Sequence, residues 1–479
     1  MERRALLNCV RVLSVSTLLI PLLLPLRAQT SSQAPDQLQP DPRYKADLLV
    51  VVAHEDDEVM IAGYLAKLAQ DEHKRIAFVY VTDGDGGGDA VGNEAGAALG
   101  QLRQMEARRA LESLGIENVW FLNQHDTPNQ NVLFSLDHWD HGHVEGALVR
   151  LMRITRPDVV LTWLPDPVSG ENHADHQASS VVAVEAFDAA GDETKFPEQL
   201  SPAKDRTGMA NLTEGLRPWQ PQKLYFFTDA FEVFTPYWYD AQKFSPFRKN
   251  LGDGTGPSYD LKAISPSRHV SYAQIEADEQ TYYMTQEGQL GVDAMKAKNF
   301  EHFEYPVKLI FGKSLVGGSV NGDVFEDVKQ IGIPFRHVRG YEPAEEKGFK
   351  FEIGDPWHFY SAFWQAHDLD RMAGLIPVPE MEADYGEPLK ITLRACNYTG
   401  SDAIVDVSAA LPAGWTDNTE YKRYPVRVGE CYPVTARVTA RSSGNEKWEE
   451  LTWTASAGAQ KVGSVTVRVF VGKVGSMPR

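Results

Sequence analysis

Short apolar runs alternate with amphipathic stretches from Ala46 to about Asp229. Ala46–Ala53, Arg75–Val81, Asn118–Leu122, Pro157–Trp163 and Lys223–Phe227 are brief, rich in β-branched and aromatic residues, and read as strands. Between them lie helical patterns. Val59, Leu65 and Leu68 recur at helical spacing within Glu58–Gln70, and Leu99–Leu114 runs helically until Gly115 stops it. Val144–Ile154 is a third helix, and Val181, Val184, Ala186 and Phe187 mark a fourth over Gln177–Ala190. Strands alternating with helices predict an α/β fold with a mostly parallel sheet covered on both faces. Ser265–Gln289 carries mixed helical signals. Val307–Phe311 and Lys350–Ile353 read as strands that the pattern does not place in the sheet.

The pattern changes after Leu375–Pro379. Lys390–Cys396, Ile404–Ala409, Val434–Ala440, Leu451–Ala455 and Val465–Val471 are short alternating strands separated by turn residues, with Leu411–Trp415 between two of them. This predicts an antiparallel, immunoglobulin-like β-sandwich over residues 380–479. It contains no histidine and no cluster of metal ligands. Its expected roles are packing against the α/β part or touching a polymer.

A chain of 479 residues exceeds one ordinary core, so more than one domain is expected. The first 28 residues place Arg3 and Arg4 before an apolar stretch ending at Leu26-Arg27-Ala28, the layout of a cleaved signal peptide. Arg11, Pro21 and Pro25 interrupt that stretch and argue against a membrane span. Residues 29–45 form a flexible polar leader, and residues 46–379 the α/β domain with a C-terminal elaboration. A secreted or periplasmic protein is expected, with no transmembrane span after cleavage. The formal charge is −19, and removing a segment with four arginines against one glutamate leaves about −22. Such a chain is a poor partner for nucleic acid or anionic lipid. Cys396 and Cys431 would remain after processing. An oxidising compartment permits a disulfide between them, and two buried thiols in neighbouring strands is the alternative.

The candidate chemistry sits at two strand ends. His54-Glu55-Asp56-Asp57-Glu58 follows the first strand, and His173-Ala174-Asp175-His176 follows Pro157–Trp163 and precedes a helix. Ligands in open α/β sheets bind beyond the carboxyl ends of strands. Imidazole and carboxylate suit Zn²⁺, which at catalytic sites takes three protein ligands and leaves a position open. Asp56 and Asp57 are adjacent, so one can hold the metal while its neighbour faces water. One of His173 and His176 can be a ligand while the other acts as an acid, and Asp175 can orient an imidazole. Acidic runs and HxxH pairs are common alone; it is their coincidence after two strands that marks a site. The turn Gly84–Gly88 lacks the spacing of a phosphate cradle and reads as a mobile loop at that site.

These residues resemble the LmbE-like, or PIG-L, family of zinc-dependent N-acetylglucosaminyl deacetylases. The motifs are Ala53-His54-Glu55-Asp56-Asp57-Glu58 and His173-Ala174-Asp175-His176, supported by Val81-Thr82-Asp83-Gly84, Arg103-Gln104-Met105-Glu106 and Ala110–Gly115. The resemblance implies a Rossmann-like fold, with His54, Asp57 and His176 binding zinc. It also implies that Asp56 is the general base and that His173 stabilises the oxyanion and protonates the leaving amine. Glu55 and Ala174 stand where the family usually has proline, and neither position is a ligand. The C-terminal module is similar to the NEW3-type domains attached to some glycosidases.

Two further groups carry rival readings. Arg103 either holds a substrate hydroxyl or anion, as the resemblance implies, or pairs with Glu106 along its helix. His138, His141 and His143 read as an exposed or substrate-facing loop rather than a second metal site. The expected function is an exported zinc hydrolase that removes an N-acetyl or other acyl group from an amino sugar or glycoconjugate. Its rivals are an amidase acting on a thiol conjugate or acylated small molecule, and a non-catalytic carbohydrate-binding protein with a vestigial metal site.

Overall fold

The computed structural model describes residues 39–167, 173–201, 215–229, 255–341, 346–375 and 378–472. The expected signal peptide and most of the leader lie outside these residues. From Gln39 onward the chain is one compact unit.

The α/β part is built on β1 (Leu48–Val52), β2 (Ile76–Thr82), β3 (Asn118–Gln124), β4 (Val159–Trp163), β5 (Lys223–Phe227) and β6 (Ile310–Ser314), in the spatial order β3-β2-β1-β4-β5-β6. The first five strands are parallel, with Val50 opposite both Phe78 and Leu161, and β6 closes the edge antiparallel to β5. Both faces of β1 are buried. Leu49 and Val51 enter one core, and Leu48, Val50 and Val52 the other. That is why the strand reads as an unbroken apolar run rather than an alternating one. The chain leaves β1 toward β2 and β3, then returns to β1's other side as β4. The strand order therefore reverses between β1 and β4, and the crevice beyond their carboxyl ends is the ligand position of such sheets.

Helices α1 (Ala62–Ala66), α2 (Ala97–Leu114), α3 (Val132–His138), α4 (His141–Thr155), α5 (Ala174–Ala189), α6 (Tyr272–Gln280), α7 (Gly288–Ala297) and α8 (Asp355–Ala366) cover the two faces. The stretch expected as one helix after β1 is a 3-10 turn at Val59–Ile61, then α1, then a π-helical turn at Lys67–Asp71. Gly115 ends α2 with a left-handed φ of 86°.

The C-terminal part departs from expectation in two ways. Lys350–Ile353 falls in β7 (Gly348–Ile353), which pairs antiparallel with β9 (Pro388–Tyr398) in the C-terminal module, so a strand from before residue 379 belongs to the sandwich. The other departure is at β8 (Glu380–Asp384), which runs parallel to β14 (Gln460–Gly472), so the module is not wholly antiparallel. Its remaining strands are β10 (Ala403–Ala410), β11 (Arg423–Val426), β12 (Glu430–Thr439) and β13 (Lys447–Ala457). One sheet runs β8-β14-β13-β10-β11, and the other runs Thr416–Asp417, β12, β9 and β7. Leu393, Val434, Leu451, Trp453 and Val467 fill the space between them. Cys396 and Cys431 stand opposite each other on β9 and β12 and form a disulfide.

Candidate metal centre

His54 to Glu58 make the tight turn that leaves β1. Asp57 is fixed first. Its Oδ2 accepts from the backbone N–H of Ala53 at 2.8 Å, from that of His54 at 3.1 Å and from Trp163 Nε1 at 2.7 Å. Three donors on one oxygen leave Oδ1 to face the histidines. Oδ1 lies 3.0 Å from His176 Nε2 and 3.7 Å from His54 Nδ1, and the two ring nitrogens are 2.8 Å apart. Two imidazole nitrogens and a carboxylate oxygen thus converge from three side chains that are at most 13% exposed. Nitrogen lone pairs do not meet at such a distance without a cation or proton between them. Two imidazoles and one carboxylate are a donor set that suits Zn²⁺.

The surrounding residues set the direction of each ring. His54 Nε2 faces Asp175 Oδ2 at 3.6 Å and Asp126 Oδ1 at 3.8 Å, which leaves Nδ1 for the centre. Asp175 is fully buried and held by the Thr127 N–H at 2.7 Å and hydroxyl at 2.5 Å. It therefore orients His54 in preference to His173, whose Nε2 is 4.0 Å away. His176, in the first turn of α5, stacks on Trp163 with ring centres 4.7 Å apart. His173, just before α5, donates through Nε2 to the Thr127 carbonyl at 2.7 Å. That bond leaves Nδ1 as the nitrogen able to carry a transferable proton. Its ring lies 5.0 Å from His54 and 5.4 Å from His176.

Electrostatics separate the two aspartates. Burial alone would raise both. His176 and His54 outweigh it at Asp57 and hold that carboxyl far below the usual range. At Asp56, burial and then the neighbouring Asp57 charge push the carboxyl up to about 8. A divalent cation on the three donors opposes that rise. Asp56 also has a φ of 147°, a conformation that side-chain-bearing residues rarely adopt and that persists only where neighbouring structure enforces it. Burial, then the His54 and His176 charges, lower His173.

Arg103 is buried, and its guanidinium reaches the glycine-rich turn. Its two terminal nitrogens each donate at 3.1 Å, one to the carbonyl of Gly84 and one to that of Gly88. The guanidinium thus clasps the glycine-rich turn read above as a mobile loop. Its expected helix partner Glu106 instead accepts from the Thr285 N–H and hydroxyl. Glu55 is fully buried, and a side chain at Gly84 would meet its Oε2 at 2.3 Å, so the turn packs directly on it. His138, His141 and His143 are not a loop: they end α3 and begin α4, and His141 bonds Glu185 at 2.5 Å. Trp163, Thr127 and Asp126 join the site without having been singled out from the sequence. Trp163 had a signal, as the last residue of an apolar strand; Thr127 and Asp126 had none.

Residues 49–187 match the family described as PIG-L, GlcNAc-PI de-N-acetylase. A 1D-myo-inositol 2-acetamido-2-deoxy-alpha-D-glucopyranoside deacetylase from Catenulispora acidiphila is 28% identical over 187 residues, covering 36% of this chain and 57% of the relative. A mycothiol S-conjugate amidase from Streptomyces coelicolor is 30% identical over 167 residues, covering 32% of this chain and 55% of the relative. The chain therefore spans a little over half the length of the curated relatives it matches. Among solved structures, N,N'-diacetylchitobiose deacetylase from Pyrococcus horikoshii aligns over 56% of this chain and 84% of its own, at 19% identity and a TM-score of 0.33. Residues 49–187 of this chain are a PIG-L, or LmbE-like, deacetylase-family domain.

Proposed function

We propose that this protein is an exported, zinc-dependent hydrolase that removes an acyl group, acetyl in the simplest case, from the nitrogen of an amino sugar or glycoconjugate. The observation that carries the reading is the convergence of His54 Nδ1, His176 Nε2 and Asp57 Oδ1 beside a second, differently poised carboxylate, Asp56. Zinc held by His54, Asp57 and His176 supplies Lewis acidity toward the acyl carbonyl and toward water.

The chain's own residues do the rest. Asp56 takes the proton of the attacking water; a cation on His54, Asp57 and His176 would oppose the rise that burial and Asp57 impose and keep Asp56 ionised. His173, oriented by the Thr127 carbonyl, acts as the imidazolium: its Nδ1–H stabilises the oxyanion and passes to the leaving nitrogen, and solvent reprotonates the neutral ring while Asp56 releases the water's proton to solvent. Asp175 keeps His54 turned so that Nδ1 faces inward. Asp57 remains ionised and takes no part in proton transfer.

A second reading draws on a specific similarity. The mycothiol S-conjugate amidase relative is as similar to this chain as the deacetylases are. An amidase acting on a thiol conjugate or other acylated small molecule uses the same centre. Incubating metal-replete protein with N-acetylated mono- and oligosaccharides beside N-acyl thiol conjugates, and following acetate and free amine, separates the two. Turnover of the sugars alone supports the proposal; turnover of the conjugates alone replaces it with the amidase.

Export is part of the proposal. It is supported by the signal-like first 28 residues and the Cys396–Cys431 bridge, which suits an oxidising compartment. Among the described residues, no helix is long and apolar enough to cross a membrane.

A further inference from the structure

The segment that leaves β3 underlies the start of α5, and Thr127 is its busiest residue. His173 Nε2 donates to the Thr127 carbonyl at 2.7 Å, and the Ala174 N–H donates to the Asn129 carbonyl at 3.0 Å. The Asp175 carboxylate takes both of Thr127's donors. Three successive residues of the second motif are thus fastened to Thr127 and Asn129, neither of which is a ligand.

The hold on Asp175 has two prongs. The Thr127 N–H binds Oδ2 at 2.7 Å, and the Thr127 hydroxyl binds Oδ1 at 2.5 Å. The last side-chain torsion of an aspartate is broad, so a carboxylate held on one oxygen can swing. Held on both oxygens by one residue, its plane is fixed. Oδ2 is also the oxygen that faces His54 Nε2, at 3.6 Å. Asp175 is fully buried, so water does not replace a lost donor. The aim of His54 therefore depends on the plane of Asp175, and that plane on the Thr127 hydroxyl.

The hydroxyl is itself fixed. It has one hydrogen, given to Asp175, and two lone pairs. Asn129 Nδ2 donates to one at 2.8 Å, while Asn129 Oδ1 is committed to the Asn131 N–H. Ser135 Oγ, fully buried on α3 and 2.6 Å away, donates to the other. Every hydrogen-bonding position of the hydroxyl is filled by protein, which leaves it one orientation.

We infer that Thr127 is a positioning residue for the metal: its hydroxyl fixes the plane of Asp175, which aims His54 Nδ1 at the centre, and Ser135 holds the hydroxyl in place. The inference rests on the reading of His54, Asp57 and His176 as zinc ligands. Three substitutions in the full chain test it. Thr127→Val exchanges the hydroxyl for a methyl and keeps the backbone N–H and carbonyl; Thr127→Ser keeps the hydroxyl. Thr127→Val lowers zinc affinity about 10- to 100-fold by competition with a chelator, the usual cost of losing a contact that orients a ligand. It also shifts the visible spectrum of the cobalt-substituted protein. Thr127→Ser stays at the wild-type values, and Ser135→Ala moves both readouts the same way by a smaller step.

A hydroxyl that only supports the fold would lower the melting temperature of Thr127→Val and leave affinity and spectrum alone. A Val variant with wild-type affinity and spectrum, or a Ser variant as impaired as the Val variant, overturns the inference. If Thr127→Val does not fold, Ser135→Ala decides: altered affinity and spectrum support the positioning role, and wild-type values overturn it. A wild type that holds neither zinc nor cobalt defeats the metal reading and this inference together. One that holds zinc but turns over no N-acyl substrate defeats only the functional reading, and the affinities still decide the role of Thr127.

Discussion

In the proposed mechanism His54, Asp57 and His176 hold the metal, and Asp56 beside them acts on the water. The three donors lie 2.8 to 3.7 Å apart, and a three-ligand site cannot spare one. His54→Ala, Asp57→Ala and His176→Ala should each leave the purified protein with little zinc by elemental analysis; near-stoichiometric zinc in all three would exclude the site. Trp163→Phe keeps the stacking ring against His176 but removes the bond to Asp57 Oδ2. Its zinc affinity should drop about 10- to 100-fold by competition with a chelator. The donors were legible in the sequence because two strand ends each delivered histidine and carboxylate. The contacts that aim them were not, because Thr127, Asp126 and Trp163 meet the motifs only once β3 and β4 have taken their places in the sheet. Arg103 shows the same limit: its position on α2 was clear, but not that loop carbonyls would claim its guanidinium.

Periodicity located the elements more securely than it described them. Apolar runs gave β1 to β5 nearly residue for residue, all but the edge strand β3 being fully buried, whereas the helix after β1 is three kinds of turn in succession. The ends of that helix are fixed by distant groups that spacing cannot show. At its last residue, Asp71 accepts from the Ser265 and Tyr272 hydroxyls and from the Ser267 N–H, at 2.7 to 2.9 Å. Partial burial alone would raise the Asp71 carboxyl, but these bonds prevail and bring it down to about 2. A carboxyl depressed on folding contributes stability in full above its ordinary value of 3.8 and loses it as pH falls through about 2. Asp71→Asn should therefore melt lower than wild type at pH 6, with the gap narrowing as pH falls from 5 toward 2. A gap independent of pH would show that the ionised form contributes nothing.

At the scale of the whole molecule, the sequence break near Pro379 does not separate two independent bodies. The chain enters the sandwich as β7, where Phe351 joins its core, and returns to the α/β part as α8 before building the rest of the sandwich. In α8, Tyr360 bonds Gln177 at 2.9 Å and Trp364 bonds the Pro165 carbonyl at 2.8 Å, both close in sequence to the metal-binding segments. Composition showed the sandwich but not this crossing, since β7 is only six residues long and its partner lies beyond the break. Ending the chain at Pro379 would leave β7 without β9, and an unpaired strand edge invites aggregation. Such a protein should melt several degrees lower and aggregate more readily than the full chain, while any monomeric fraction retains zinc. A truncated protein as soluble and as thermostable as the full chain would contradict this and favour a module whose only role is contact with a polymeric glycan.

The most direct test of the central claim is a paired measurement of zinc content and turnover on Asp56→Asn. Asparagine keeps the side-chain shape and tolerates unusual backbone conformations, but it cannot accept the proton of the attacking water. Zinc should stay near the wild-type stoichiometry, because His54, Asp57 and His176 are untouched, while kcat on an N-acetylated sugar falls about 10²- to 10⁴-fold. Turnover close to wild type with zinc in place would contradict the account, since Asp56 would then be no base.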